Sequence, residues 1–282
     1  MKFSKLGIGI AAVIASASLL VACAPADGGD PSTDPDRVPT LQDGKLLIST
    51  SNPAYPPYIV DNDPSNGKGF ESAVAYAVAA KLGFTADQVE WVDASWDETL
   101  APTIKPWDIG LQQVSINSER AKSIDFAGPY FKANQAVVTI ASSPAASATS
   151  IADLKDLRIG AQAGTTSFRT VEEVLQPNVT PLAFNNNDDV KNALLNGQID
   201  AFVVDLSTAL YITAVEFDNG IILGQLEGSE DVEHEGWGIV LNKDSSLTSY
   251  VQQALDALQA DGTLDALVAQ WLASADVAPF LK

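Results

Sequence analysis

A single cysteine in 282 residues leaves this chain without an internal disulfide, so its fold has to be held by burial. About 240 residues follow the N-terminal segment, enough for one large domain or for two lobes that each bury a core. His234 is the only histidine, and no cysteine pair exists. A zinc-type ligand set therefore cannot form, and the Asp and Glu residues show no EF-hand spacing; no metal and no cofactor are expected. The charge balance is 16 Lys and Arg against 36 Asp and Glu. Nucleic acid is excluded as a partner, because phosphate contacts need clustered basic side chains. So acidic a chain would also be repelled by anionic lipid heads.

The cysteine stands at an informative place. Lys2 and Lys5 form a basic start, residues 6–20 are almost wholly Ala, Ile, Val, Leu, Gly and Ser, and Cys23 closes the run. A basic region, an apolar region and small residues before a cut make a secretory signal peptide, here residues 1–22. The run is shorter than the roughly 20 apolar residues of a membrane-spanning helix. Leu20-Val21-Ala22-Cys23 resembles a bacterial lipobox, which implies acylation of Cys23 and a membrane anchor outside the cytoplasm. Residues 24–40 are mostly Pro, Gly, Asp, Ser and Thr. Such a stretch cannot bury enough surface to offset its ordering, so residues 23–44 read as the lipidated cysteine and a flexible tether.

Beyond the tether, strand-like runs alternate with helical patterns, which predicts an α/β fold with mostly parallel pairing. Residues 45–48, 89–92, 109–114, 136–140, 158–161 and 199–204 read as strands, and residues 237–241 begin a third segment. Phe70, Val74, Val78 and Leu82 recur every four residues on one helical face, and Gly83 stops that helix. Ser95 followed by Glu98 has capping-box spacing, so a helix starts at Trp96. Pro102 and Pro106 keep that helix short or bent. Further helical stripes fall on Phe168, Val171, Val174 and Leu175, on residues 188–196, and on two segments from Leu247 to Trp271.

Five motifs then occur in order: Gly67-Lys68-Gly69-Phe70-Glu71, Ser115-Ile116-Asn117-Ser118-Glu119-Arg120, Ile124-Asp125-Phe126-Ala127-Gly128-Pro129-Tyr130, Gly164-Thr165-Thr166, and Asp200-Ala201-Phe202-Val203-Val204-Asp205. Through them, and through the segment from Ala257 to Trp271, the chain resembles the family-three extracellular solute-binding proteins, the amino-acid receptors of ABC importers. The resemblance implies a two-lobe, periplasmic-binding-protein-like (type II) fold with a ligand cleft between lobes joined by two hinge strands. It implies that residues 45–134 with 230–282 form lobe 1 and residues 135–229 lobe 2.

By the same resemblance, Arg120 grips the ligand α-carboxylate, a task suited to a planar fork that donates two parallel bonds. Taken alone, an Arg in Asn-Ser-Glu-Arg would be a solvated helix residue. Thr166, at a predicted helix start that favours an anion, would complete the cradle from the other lobe. Ser115 would add a hydroxyl, and Asp205 would hold the α-ammonium; on its residues alone Asp205 could equally cap the helix beginning at Leu206. Tyr55 and Trp96 would sandwich the side chain of the ligand, where lobe packing is the plainer alternative. Asn52 stands where receptors for basic amino acids carry Asp, Glu71 where Asp is usual, and Gln112 and Gln113 where some members have small residues. Together these departures point to a polar, uncharged L-amino acid.

The expected function is an extracytoplasmic, lipid-anchored, monomeric receptor that binds an amino acid by lobe closure and passes it to permease subunits. The rival is an enzyme of the same fold, such as a cyclohexadienyl dehydratase-like protein. That rival needs a positioned acid or base, for which the chain offers His234 and scattered carboxylates.

Overall fold

A computed structural model of the chain describes residues 38–227, 236–272 and 278–282. Cys23, the signal segment, most of the tether and His234 lie outside the described residues.

The chain opens with β1 (Leu46–Thr50) and α1 (Phe70–Lys81). Phe70, Val74 and Val78 of α1 are fully buried. Each such side chain stabilises the fold by roughly 1.5–3 kcal/mol relative to leaving it in water. Gly69 starts α1 at φ +100°, and a Cβ there would lie 2.3 Å from the Tyr58 carbonyl oxygen. Only glycine fits, and the Gly-Phe-Glu motif is thereby pressed onto the Tyr55–Tyr58 loop. Next come β2 (Val89–Asp93), α2 (Trp96–Leu100), β3 (Ile109–Gly110) and β4 (Ile124–Phe131). The capping box forms as its spacing predicts: the Glu98 amide donates to Ser95 Oγ at 3.2 Å, and the Ser95 amide donates to the Glu98 carboxylate at 2.8 Å.

The second lobe runs through β5 (Gln135–Ile140), β6 (Ile159–Gln162), α3 (Thr166–Thr170), β7 (Leu182–Phe184), α4 (Asn187–Leu195), β8 (Ala201–Asp205), α5 (Leu206–Tyr211) and β9 (Gly220–Leu226). The chain then returns to the first lobe with β10 (Trp237–Asn242), α6 (Thr248–Ala260) and α7 (Thr263–Trp271).

Two five-stranded sheets result, ordered β2-β1-β3-β10-β4 and β7-β6-β8-β5-β9. They make the two-lobe α/β fold. Pairing departs from the mostly parallel expectation: β10 runs antiparallel to β3 and β4, and β5 antiparallel to β8 and β9. The reason is connectivity, since β5 and β10 each enter their sheet from the other lobe rather than through a helical crossover.

Two boundary expectations change. Val38 is buried in the first core, and the Leu41 amide donates to Asp108 Oδ1 at 2.7 Å, so packing begins before residue 45. The stretch 230–282 also divides between lobes. Leu258, Leu264 and Leu272 join the first core, whereas Ala278 and Leu281 join the cores of the second. There the Gln225 amide donates to the Pro279 carbonyl at 2.7 Å, and the Leu281 amide to the Gln225 carbonyl at 2.8 Å.

Candidate functional site

A cavity of about 290 Å³ lies between the sheets. That volume sits near the lower end for small-molecule sites and suits a single metabolite. Its wall is drawn from the carboxyl ends of the parallel strands, where open α/β sheets gather ligands. Ser51, Asn52, Pro53 and Tyr55 follow β1, Ser95 and Trp96 follow β2, and Gln112 and Gln113 follow β3. From the other lobe, Gln162 ends β6, Asn185, Asn186 and Asn187 follow β7, and Asp205 ends β8.

Six of the eight residues proposed from the sequence line this cavity: Asn52, Tyr55, Trp96, Gln113, Thr166 and Asp205. Ser115 and Arg120 stand beside the wall without lining it. Ser115 Oγ lies 3.2 Å from Thr166 Oγ1 across the lobes. Arg120 donates to the Ser115 carbonyl at 2.7 Å and to the Gly164 carbonyl at 3.0 Å, and its guanidinium packs 5.3 Å from the centre of the Trp96 ring. Burial and the nearby Arg169 charge lower the Arg120 pKa to about 10, so it remains cationic at neutral pH. Gly164 holds φ +70°, and a Cβ there would meet Trp96 Nε1 at 3.3 Å. The indole nitrogen, buried against that turn, has no hydrogen-bond partner among the described residues.

Asp205 accepts from Gln135 Nε2 at 2.5 Å and, although it stands at the N-cap position of α5, makes no side-chain capping bond to it. Burial raises its pKa to about 7, against the pull of the Gln135 bond and the Arg120 charge. Thr166 is the first residue of α3, but Thr165 is the cap that accepts the Phe168 amide. The α-helical segment is only five residues long and passes into a π-turn over Val171–Leu175, so the dipole is a smaller asset than the sequence implies.

The amides behave differently from expectation. Gln112 donates to the Ala94 carbonyl at 2.7 Å and to Thr99 Oγ1 at 3.1 Å, and so anchors α2. Gln113, at φ +51°, turns both its backbone amide and its side-chain nitrogen onto Glu71. Glu71 is wholly buried and absent from the wall. Asn52 donates to Asp93 Oδ2 at 2.8 Å, so its side-chain nitrogen is already engaged by a carboxylate that does not line the cavity. The sequence reading passed over Gln162 and the Asn185–Asn187 run; their signal was three consecutive amides at the start of a helix, and a polar side chain at a strand end. It also passed over Tyr58, whose hydroxyl lies 2.8 Å from Ser207 Oγ and 2.7 Å from Thr208 Oγ1 of the other lobe.

The profile of the bacterial extracellular solute-binding proteins, family 3, matches residues 47–274. The chain belongs to this family. Among its relatives is the L-cystine-binding protein TcyJ of Escherichia coli K12, 31% identical over 248 residues, covering 83% of this chain and 84% of that protein. Among solved structures, an ancestral arginine-binding protein bound to glutamine is 30% identical with a TM-score of 0.66, covering 82% of this chain and 98% of that one. An ancestral amino-acid-binding protein described as a precursor of cyclohexadienyl dehydratase is 27% identical with a TM-score of 0.67, covering 82% and 96%. Membership makes this chain a solute-binding protein that works outside the cytoplasm.

In this solute-binding protein the lobes are also latched away from Arg120. Tyr55 Oη donates to Asp188 Oδ2 at 2.7 Å, and Lys191 pairs with Asp188 at 2.8 Å and with Glu216 at 2.6 Å while lying 5.6 Å from the Tyr55 ring centre. Burial and the Asp188 contact push the Tyr55 hydroxyl well above its ordinary range, so it stays a donor. A hydrogen bond to a charged group contributes about 1.5–3 kcal/mol, less where solvent reaches it. Tyr55→Phe should therefore favour the open form and enlarge the radius of gyration in solution scattering; an unchanged radius would deny the latch.

Proposed function

We propose that the protein is the receptor of an ABC importer and closes on one free, polar, uncharged L-amino acid, with glutamine the best fit. One observation carries this reading. Asp205, an acceptor, and Thr166, with Arg120 beside it, gather near a metabolite-sized cavity whose remaining wall is largely amides, hydroxyls and two aromatic rings. Asp205 suits an α-ammonium, and Arg120 with Thr166 suits an α-carboxylate. Arg120 would exchange its carbonyl partners, or add to them, when an anion arrives. Gln162, Asn185 and Asn187 offer both donors and acceptors to a side-chain amide. An ancestral arginine-binding protein 30% identical to this chain has been solved with glutamine as well as with arginine, so glutamine is within reach of a site of this kind. Groups from both lobes are needed, so ligand favours closure by its differential affinity for that state.

A thermal-shift screen against the twenty amino acids tests this. Glutamine should raise the melting temperature most, because binding to the folded state alone stabilises by mass action. No shift with any of them would overturn the reading.

The rival enzyme gains one point, since an Asp205 pKa near 7 would suit general acid–base work. Buffered turnover assays with prephenate-like acids separate the two: the receptor reading expects no product.

We further propose that Cys23 carries lipid, that the receptor acts as a monomer, and that it hands its ligand to membrane permease subunits. The support for the anchor is Leu20-Val21-Ala22-Cys23 closing the apolar run. Cys23→Ser should move the protein from the membrane fraction to the soluble one, because an acidic chain has little other attraction to the bilayer. Equal retention in the membrane would rule the anchor out.

A further inference from the structure

Glu71 is the least expected group around the cavity. It is a fully buried carboxylate on α1, one residue past the glycine that presses the helix against the Tyr55–Tyr58 loop. Its two oxygens are served unequally. Oε1 accepts the Gln113 amide at 2.7 Å and the Tyr130 hydroxyl, whereas Oε2 has the Gln113 side-chain nitrogen as its one partner among the described residues. Gln113 itself lines the cavity and Glu71 does not. Gln113 thus joins a buried carboxylate to the wall of the cavity. To hold it there the backbone of Gln113 adopts φ +51°, a region that non-glycine residues enter at some cost.

We infer that the Glu71–Gln113 pair sets side-chain selectivity: the Gln113 amide masks Glu71 and makes the site reject cationic side chains. This rests on the reading of the cavity as an amino-acid site. An unmasked carboxylate in a low-dielectric wall would attract an ammonium or guanidinium strongly. With the amide in place, Oε2 has its donor and the ligand meets a neutral surface. Specificity built on a covered charge is discrimination against a competitor as much as attraction for the preferred ligand.

Removing the amide should expose Oε2. Gln113→Gly suits the test, because glycine accepts a positive φ without strain and keeps the backbone bond to Oε1. Gln113→Ser serves as the second variant should the glycine chain fail to fold. Calorimetry at pH 8, where Glu71 is charged, compares glutamine and arginine on wild type, Gln113→Gly, Gln113→Ser and Glu71→Gln/Gln113→Gly. Wild type should favour glutamine over arginine by at least tenfold. Either single variant should improve the arginine-to-glutamine affinity ratio at least tenfold, and the double variant should lose that gain. Glutamine binding with the ratio unchanged within threefold in the single variants would overturn the inference. A wild type that prefers arginine, or a gain that survives in the double variant, would overturn it too. Wild type that binds none of the twenty amino acids would overturn the amino-acid reading instead.

Discussion

Arg120→Ala should weaken amino-acid binding about 30-fold or more. Truncating one partner of a buried, hydrogen-bonded charge pair costs about 2–5 kcal/mol, and each 1.4 kcal/mol is a factor of ten in affinity. The structure adds a second route to the same loss. Arg120 ties the Ser115 carbonyl of one lobe to the Gly164 carbonyl of the other and stacks on Trp96, so its removal also loosens the closed form. Arg120→Lys should restore only part of the affinity, because an ammonium lacks the planar fork and stacks less well on an indole. Calorimetry on the variants, with circular dichroism to confirm folding, reads the effect. A dissociation constant for Arg120→Ala within threefold of wild type would remove this side chain from the binding site.

Asp205→Asn should cost a similar factor, and it should also remove most of the pH dependence of binding. Burial holds the free carboxylate near pKa 7; the Gln135 bond and the Arg120 charge pull that value down, and the Glu71 charge pushes it up. An α-ammonium needs the ionised form, so closing on the ligand expels any proton that Asp205 holds. Affinity should then fall as pH drops below about 7, approaching tenfold per unit while one proton is coupled. Stability of the unliganded protein runs the other way. Asp205 and Glu71 both have folded values near 7, above their ordinary values of 3.8 and 4.5. The folded state therefore binds protons more tightly than the unfolded chain, and these two groups oppose folding increasingly as pH rises toward 7. Wild type should melt higher at pH 5.5 than at pH 8 without ligand, yet bind more weakly there. Affinity independent of pH between 5.5 and 8 would show that Asp205 does not meet the ammonium.

The helices and the interior strands were the most legible parts of the sequence. The four-residue repeat of Phe70, Val74 and Val78, and the Ser95–Glu98 box, each have one local solution, and the structure adopts it. Elements that depend on distant partners were harder to read. β4 contains Gly128 and Pro129, which look like a break until the strand is seen at the sheet edge, where a missing donor is tolerated. β9 carries Gly224 and a register shift against β5, so its alternation is blurred. In the site, motif residues such as Thr166 and Asp205 could be placed because their neighbours in sequence fix them. The Gln113 side chain could not: its partner Glu71 lies 42 positions away, and the bond forms only once α1 packs beside the turn after β3.

The division of the C-terminal stretch sets a mechanical bound on the molecule. Two crossings, between β4 and β5 and between β9 and β10, would let one lobe swing freely about a line. The tail adds a third, because Leu272 is seated in the first core and Ala278 in the second. Six backbone steps separate those two residues, and a fully extended chain covers at most about 3.6 Å per step, roughly 20 Å in all. If the lobes part when ligand leaves, that span bounds how far the two seated ends can separate. Any opening wider than that would require residues 278–282 to leave the second sheet.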